Sequence, residues 1–286
     1  VPPLFPATLS LYVVACTLYL VQIVLGGAQG GGGARLPVIS PPTPAKAPGL
    51  VRAARLVLAL AFASHAVDIG WLCTVGLHPV VNAREALSFA SWLMCGLYLA
   101  VSLRTAGLAV VGAIVVPATL VLLVAARLVP GSDAPSAIGL TPLGALHITL
   151  ATAGVALFAV AAGGSVVYLV VERNIKKHRT GFVLRGGPAL ETLDTLSRRC
   201  ILIGFPVFTV AMVTGAMWVA RLPGRGVFTA QYAISSVAWL VFAGLLVLRL
   251  TLGWRGRRAA ILTLAGFAGV IGTLGIYFVR GVGSGV

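Results

Sequence analysis

The chain has 286 residues, 59% of them hydrophobic and 9% charged, with a mean hydropathy of +1.03. A soluble chain carries about 25% charged residues, so this composition excludes a soluble globular domain and makes lipid the main solvent. The net charge of +15 invites a nucleic-acid reading, which the distribution of the charges excludes.

A spanning helix needs about 20 mostly apolar residues. In chain order, the stretches 8–27, 51–77, 84–103, 105–127, 143–173, 196–220, 229–250 and 258–279 meet that length. They predict an all-α, polytopic membrane helix bundle with about eight transmembrane helices, forming a single domain over 1–286. The 35 glycines fit this class, because small residues let helix backbones approach closely in lipid. Between the first two spans, 26–49 runs from a glycine cluster into Pro37, Pro41, Pro42, Pro44 and Pro48, which predicts a flexible Gly/Pro-rich tether. Before the sixth span, 188–199 opens on Pro188 and places Leu190, Leu193 and Leu196 on one face. That pattern predicts a short amphipathic helix lying on the membrane surface. The loops on the other side, 78–83, 128–141 and 221–228, are short and leave any work there to helix ends.

Threading eight spans sorts the 21 basic residues by side. One side receives Arg35, Lys46, Arg52, Arg55, Arg104, Arg173, Lys176, Lys177, Arg179, Arg185, Arg198, Arg199, Arg249, Arg255, Arg257 and Arg258. The other receives only Arg84, Arg127, Arg221, Arg225 and Arg280. The positive-inside rule makes the basic side cytoplasmic and puts both termini outside. The basic excess is therefore topological, with an added attraction to anionic membrane lipid and no nucleic-acid partner.

Ionisable residues inside spans are costly and mark function by default. His65 lies near the middle of the second span with Asp68 at i,i+3, so the carboxylate can accept an imidazole N–H and fix its tautomer. The pair reads as a metal or haem ligand, a proton relay, or a helix–helix hydrogen bond. His147 follows Thr141 and Pro142, a cap and first-turn proline, so it sits just under the outer surface. It can ligate haem iron from the side of the bundle or bond a loop carbonyl. His78 precedes Pro79 in an outer loop, and His178 stands among Lys176, Lys177 and Arg179 as ordinary cytoplasmic loop. Asn82 and Glu85 have the spacing of a capping box, while Trp92, Trp218 and Trp239 read as packing or interface residues. Cys16, Cys73, Cys95 and Cys200 stand singly and argue for neither disulfide nor zinc. With no nucleophile–base pair, P-loop or dinucleotide fingerprint, the sequence gives no argument for catalysis.

Four stretches in order carry a resemblance. His78 to Trp92 reads HPVVNAREALSFASW, and Leu143 to Val171 begins with an externally placed histidine, His147. The third runs from LETLDTLS at Leu190 to GAMW ending at Trp218, and the fourth is GWRGRRAA from Gly253. Together these resemble the cytochrome c assembly family, membrane proteins of the CcsA/HemX type, over roughly 55–280. The resemblance implies haem handling near the outer face of a bacterial inner membrane, and other cytochrome c maturation membrane proteins and apocytochrome c as partners. It also implies haem as cofactor, with the iron held through His147 and His78; His65 and Asp68 are further candidates for contact with it. Its tryptophan-rich W-G-x-x-W-x-W-D loop is absent after Trp218, where the chain reads VARLPGRGVFTAQ, as in the HemX-like branch. A haem-free assembly or regulatory scaffold of the same fold is the alternative. His65 lies 12 residues before Leu77, about 18 Å deeper at the helical rise, too far to share an outer site with His147.

Overall fold

A computed structural model describes residues 2–28, 48–79, 81–105, 107–129, 141–177, 188–221 and 229–283. Among them the chain forms helices α1 (Phe5–Ala28), α2 (Pro48–Thr74), α3 (Ala83–Arg104), α4 (Ala109–Leu128), α5 (Pro142–Lys176), α6 (Leu190–Ala220), α7 (Ala230–Thr251) and α8 (Arg257–Gly283). All eight contain a segment long and apolar enough to cross a membrane, and no strand occurs among the described residues. The protein is an integral, multi-pass, all-α membrane bundle. Most of the tether at 26–49 and His178 lie outside the described residues.

Backbone chemistry sets the helix ends. Asn82 caps α3 by accepting the Glu85 N–H at 2.9 Å, and Thr229 caps α7 through the Tyr232 N–H at 3.2 Å. The turn between α7 and α8 needs positive φ at Gly253 (63°) and Gly256 (72°), a conformation costly for residues with a Cβ. The surface segment expected at 188–199 forms the opening turns of α6, which continues without a break to Ala220. Leu193 and Leu196 there are buried against the bundle.

α5 is the central helix, packed against α6 along most of its length and also against α3, α4 and α8. Its middle, Ala159 to Ser165, consists largely of alanine and glycine and is buried, so neighbouring backbones come close. Phe158 of α5 fills the resulting core, stacked on Phe242 at 3.9 Å and edge-on to Phe208 at 5.5 Å. The outside is apolar as well. On α2, Leu56, Leu60, Val67 and Trp71 form an exposed ridge at helical spacing, and on α7 Leu240, Val247 and Leu250 do the same. In water such ridges would aggregate; in a bilayer they face acyl chains. Contacts between helix ends define two ends of the bundle: at a basic one the starts of α6 and α8 meet the ends of α5 and α7, and at the opposite one the starts of α1, α3 and α5 meet the ends of α2, α4 and α6.

Candidate functional site

The opposite end holds the most developed polar constellation. Thr141 caps α5 through the Gly144 N–H at 3.2 Å, and Pro142 occupies the first turn. This fixes where α5 starts and puts His147 in its second turn, facing α6. The His147 Nδ1 lies 2.7 Å from the Ala211 carbonyl of α6. A carbonyl only accepts, so in the neutral ring Nδ1 carries the proton and Nε2 keeps its lone pair. Nε2 has no hydrogen-bond partner among the described residues. The same carbonyl also accepts the Thr214 hydroxyl at 3.0 Å.

Two glycines make the room. A Cβ on Gly215 would lie 2.5 Å from His147 Cε1 and 2.7 Å from Nδ1, so the imidazole occupies space that any side chain would fill. A Cβ on Gly144 would lie 2.9 Å from the Trp218 ring. Trp218 covers the histidine with ring centroids 5.9 Å apart at 37°. Its Nε1 is buried and has no hydrogen-bond partner among the described residues.

His78 is exposed in the loop after α2, where its carbonyl accepts the Val81 N–H at 3.0 Å. Connectivity puts it at the same end as His147, but no hydrogen bond or ring contact joins the two among the described residues. His65 and Asp68 are brought together with other groups and not with each other. Buried His65 has Nδ1 at 3.3 Å from the Tyr12 hydroxyl and Nε2 at 3.0 Å from the Ser88 hydroxyl, so its ring bridges α1, α2 and α3. Asp68 accepts the Leu4 N–H at 3.1 Å and the Thr8 hydroxyl at 2.8 Å, and Thr8 in turn meets Ser64 at 2.6 Å. The carboxylate thus takes the Leu4 N–H just before α1, where the helix dipole also favours it.

The expected reciprocal cap is half made: Asn82 accepts from Glu85, whose own side chain is buried close to the charges of Arg127 and Arg84. Trp92 packs on Phe62 at 4.8 Å and donates to the Phe62 carbonyl, and Trp239 donates to Thr209 at 2.9 Å. Both are packing residues. Trp218, Gly215, Ala211 and Thr214 escaped the sequence reading as parts of the histidine site. The GAMW stretch was visible, but nothing in its spacing reveals that it faces a histidine 71 residues earlier across a helix pair.

The fold and this site define a polytopic α-helical membrane protein with a helix-anchored imidazole under a tryptophan at one membrane-exposed end. The family model of the Cytochrome C assembly protein matches residues 80–286, and the chain belongs to that family. It is similar to the cytochrome c biogenesis protein CcsA of Guillardia theta, 30% identical over 232 residues covering 71% of this chain and 74% of that one. CcsA of Chlamydomonas reinhardtii is 28% identical over 200 residues, 67% of this chain and 56% of the relative. CcsA of Gloeobacter violaceus is 41% identical over 100 residues, 34% of this chain and 30% of the relative. The alignments thus span under a third of the Gloeobacter protein and a little over half of the Chlamydomonas one.

Proposed function

We propose that this chain serves cytochrome c biogenesis by handling haem near the end of the bundle that carries His147. Haem would supply an iron that binds imidazole nitrogen. His147 would give it Nε2, with the ring held in that tautomer by the Ala211 carbonyl. His78 would be the second histidine to hold it, and the Trp218 indole N–H would be a donor beside it. The observation that carries this reading is His147 Nδ1 held 2.7 Å from the Ala211 carbonyl in the space that Gly215 leaves to the ring, which keeps Nε2 as the nitrogen for a metal. Other cytochrome c maturation membrane proteins, and apocytochrome c as acceptor, are the partners this role requires. In this reading the membrane is a bacterial inner membrane, and the charge asymmetry supports the basic end lying in the cytoplasm.

His65 and Asp68 contribute differently in this reading. Both His65 nitrogens already meet hydroxyl groups and both Asp68 oxygens accept, so the pair clamps α1 onto α2 and α3. A haem-free scaffold is the competing reading, favoured by the missing tryptophan-rich loop after Trp218.

The test is the optical spectrum of the detergent-purified protein. A Soret band that sharpens on reduction is expected, lost or strongly shifted in His147→Ala and unchanged in His178→Ala. A haem that survives His147→Ala and disappears with His65→Ala would move the site into the membrane interior. Colourless wild-type protein that also takes up no added haem establishes the scaffold.

A further inference from the structure

Two sequence stretches play no part in the histidine site, LETLD at the start of α6 and GWRGRR between α7 and α8, yet they meet at the basic end. Asp194 Oδ1 accepts the Gly256 N–H at 3.3 Å and lies 3.4 Å from Arg249 Nη2. Gly256, with φ +72°, carries the turn tightly over Tyr168 of α5. Arg249 is deeply enclosed, its side chain 4% exposed. Its Nε, Nη1 and Nη2 are buried without a hydrogen-bond partner among the described residues. A single ion-pair contact lacking hydrogen-bond geometry is poor compensation for a guanidinium with five donors.

Beside it opens a cavity of about 470 Å³, walled by Tyr168, Glu191, Asp194, Arg198, Arg255 and Gly256. Tyr168 and Asp194 also wall the narrow crevice that holds Arg249. Asp194 is taken up by Arg249 and the Gly256 N–H, so Arg198 and Arg255 face Glu191 alone across the cavity, and the N-terminal end of α8 adds its partial positive charge immediately after Gly256. The volume lies in the range of small-ligand sites. The planar guanidinium groups of Arg198 and Arg255 at its wall suit an anion with several oxygens.

We propose that this pocket binds a net-anionic phosphate group, supplied by the headgroup of an acidic phospholipid or by soluble phosphate. The proposal stands apart from the histidine site and does not need haem. The experiment compares wild type with the double variant Arg198→Gln, Arg255→Gln, whose two side chains are exposed and carry no core packing. Each protein, full length, is placed in nanodiscs of phosphatidylcholine with and without phosphatidylglycerol, and retained lipid is counted by native mass spectrometry after extraction. Inorganic phosphate is titrated separately in detergent, with the unfolding midpoint as readout. Wild type should retain phosphatidylglycerol over phosphatidylcholine, and the double variant should do so about 30-fold more weakly, since each basic residue near an anionic surface contributes roughly fivefold. If wild type instead ignores phosphatidylglycerol but is stabilised by phosphate in a way the variant is not, the ligand is soluble phosphate. Equal behaviour of the two proteins in both arms overturns the proposal. A double variant with a lowered midpoint in phosphatidylcholine alone is replaced by the single variants Arg198→Gln and Arg255→Gln, each of which should retain phosphatidylglycerol about fivefold more weakly than wild type; single variants equal to wild type in both arms, or a wild-type preference for phosphatidylcholine, overturn the site.

Discussion

Replacing Gly215 with alanine pits two effects of opposite sign against each other. In a helix interior alanine is favoured over glycine by about 1 kcal/mol, so on propensity alone the change stabilises α6. Here, however, the new Cβ would lie 2.5 Å from His147 Cε1 and 2.7 Å from Nδ1, far inside contact distance. Overpacking of this kind costs about 1–3 kcal/mol. The ring must turn away from the Ala211 carbonyl, now 2.7 Å distant, which forfeits a further ~1 kcal/mol of hydrogen bonding. The net expectation is destabilisation by about 1–3 kcal/mol, together with a shifted or lost haem spectrum. Unfolding in detergent, followed by helical signal, measures the first, and a double-mutant cycle isolates the cause. In a His147→Ala background the clash vanishes, and Gly215→Ala should then stabilise by about 1 kcal/mol. A stabilising Gly215→Ala in both backgrounds would show that the imidazole does not need the space that Gly215 leaves.

Asn82→Ala removes the side chain that accepts the Glu85 N–H. It should lower stability by about 1 kcal/mol and leave any haem spectrum unchanged; spectral loss at normal stability would move Asn82 into the site. Asp68→Ala strands the Leu4 N–H and leaves the Thr8 hydroxyl only Ser64, so stability should fall by about 1–3 kcal/mol, while the Soret band stays in place. Cysteine substituted in turn at Arg255 and Arg221, both exposed at opposite ends, should be reached by an impermeant thiol reagent from outside only at Arg221. Labelling with the reverse sidedness refutes the orientation.

The spans were legible because they depend on local composition. A run of about 20 apolar residues has one low-energy solution in lipid, a helix with all its backbone bonds internal. The start of α5 was equally plain, since Thr141 and Pro142 act on the residues immediately following them. These local signals located His147 near one membrane surface. They left open what its ring touches, because contact with α6 depends on how two helices rotate and slide against each other.

Tertiary packing decided the partners. Sequence spacing set His65 and Asp68 on one face of α2, and their proximity suggested a shared hydrogen bond. In the folded bundle α1 lies against that face, and its Thr8 hydroxyl and Leu4 N–H reach the carboxylate first. Tyr12 and Ser88 occupy the imidazole, so neighbours from other helices replaced the neighbour in sequence. Asp194 behaves likewise: its i,i+4 companion Arg198 turns to the cavity, and the carboxylate bonds to α7 and the turn before α8. Composition and local chemistry therefore determined that the chain crosses the membrane, where its helices begin, and which end is basic. Only the packing of helices distant in sequence selected the partner of each buried polar group, because in lipid no water is present to accept the hydrogen bonds left unmade.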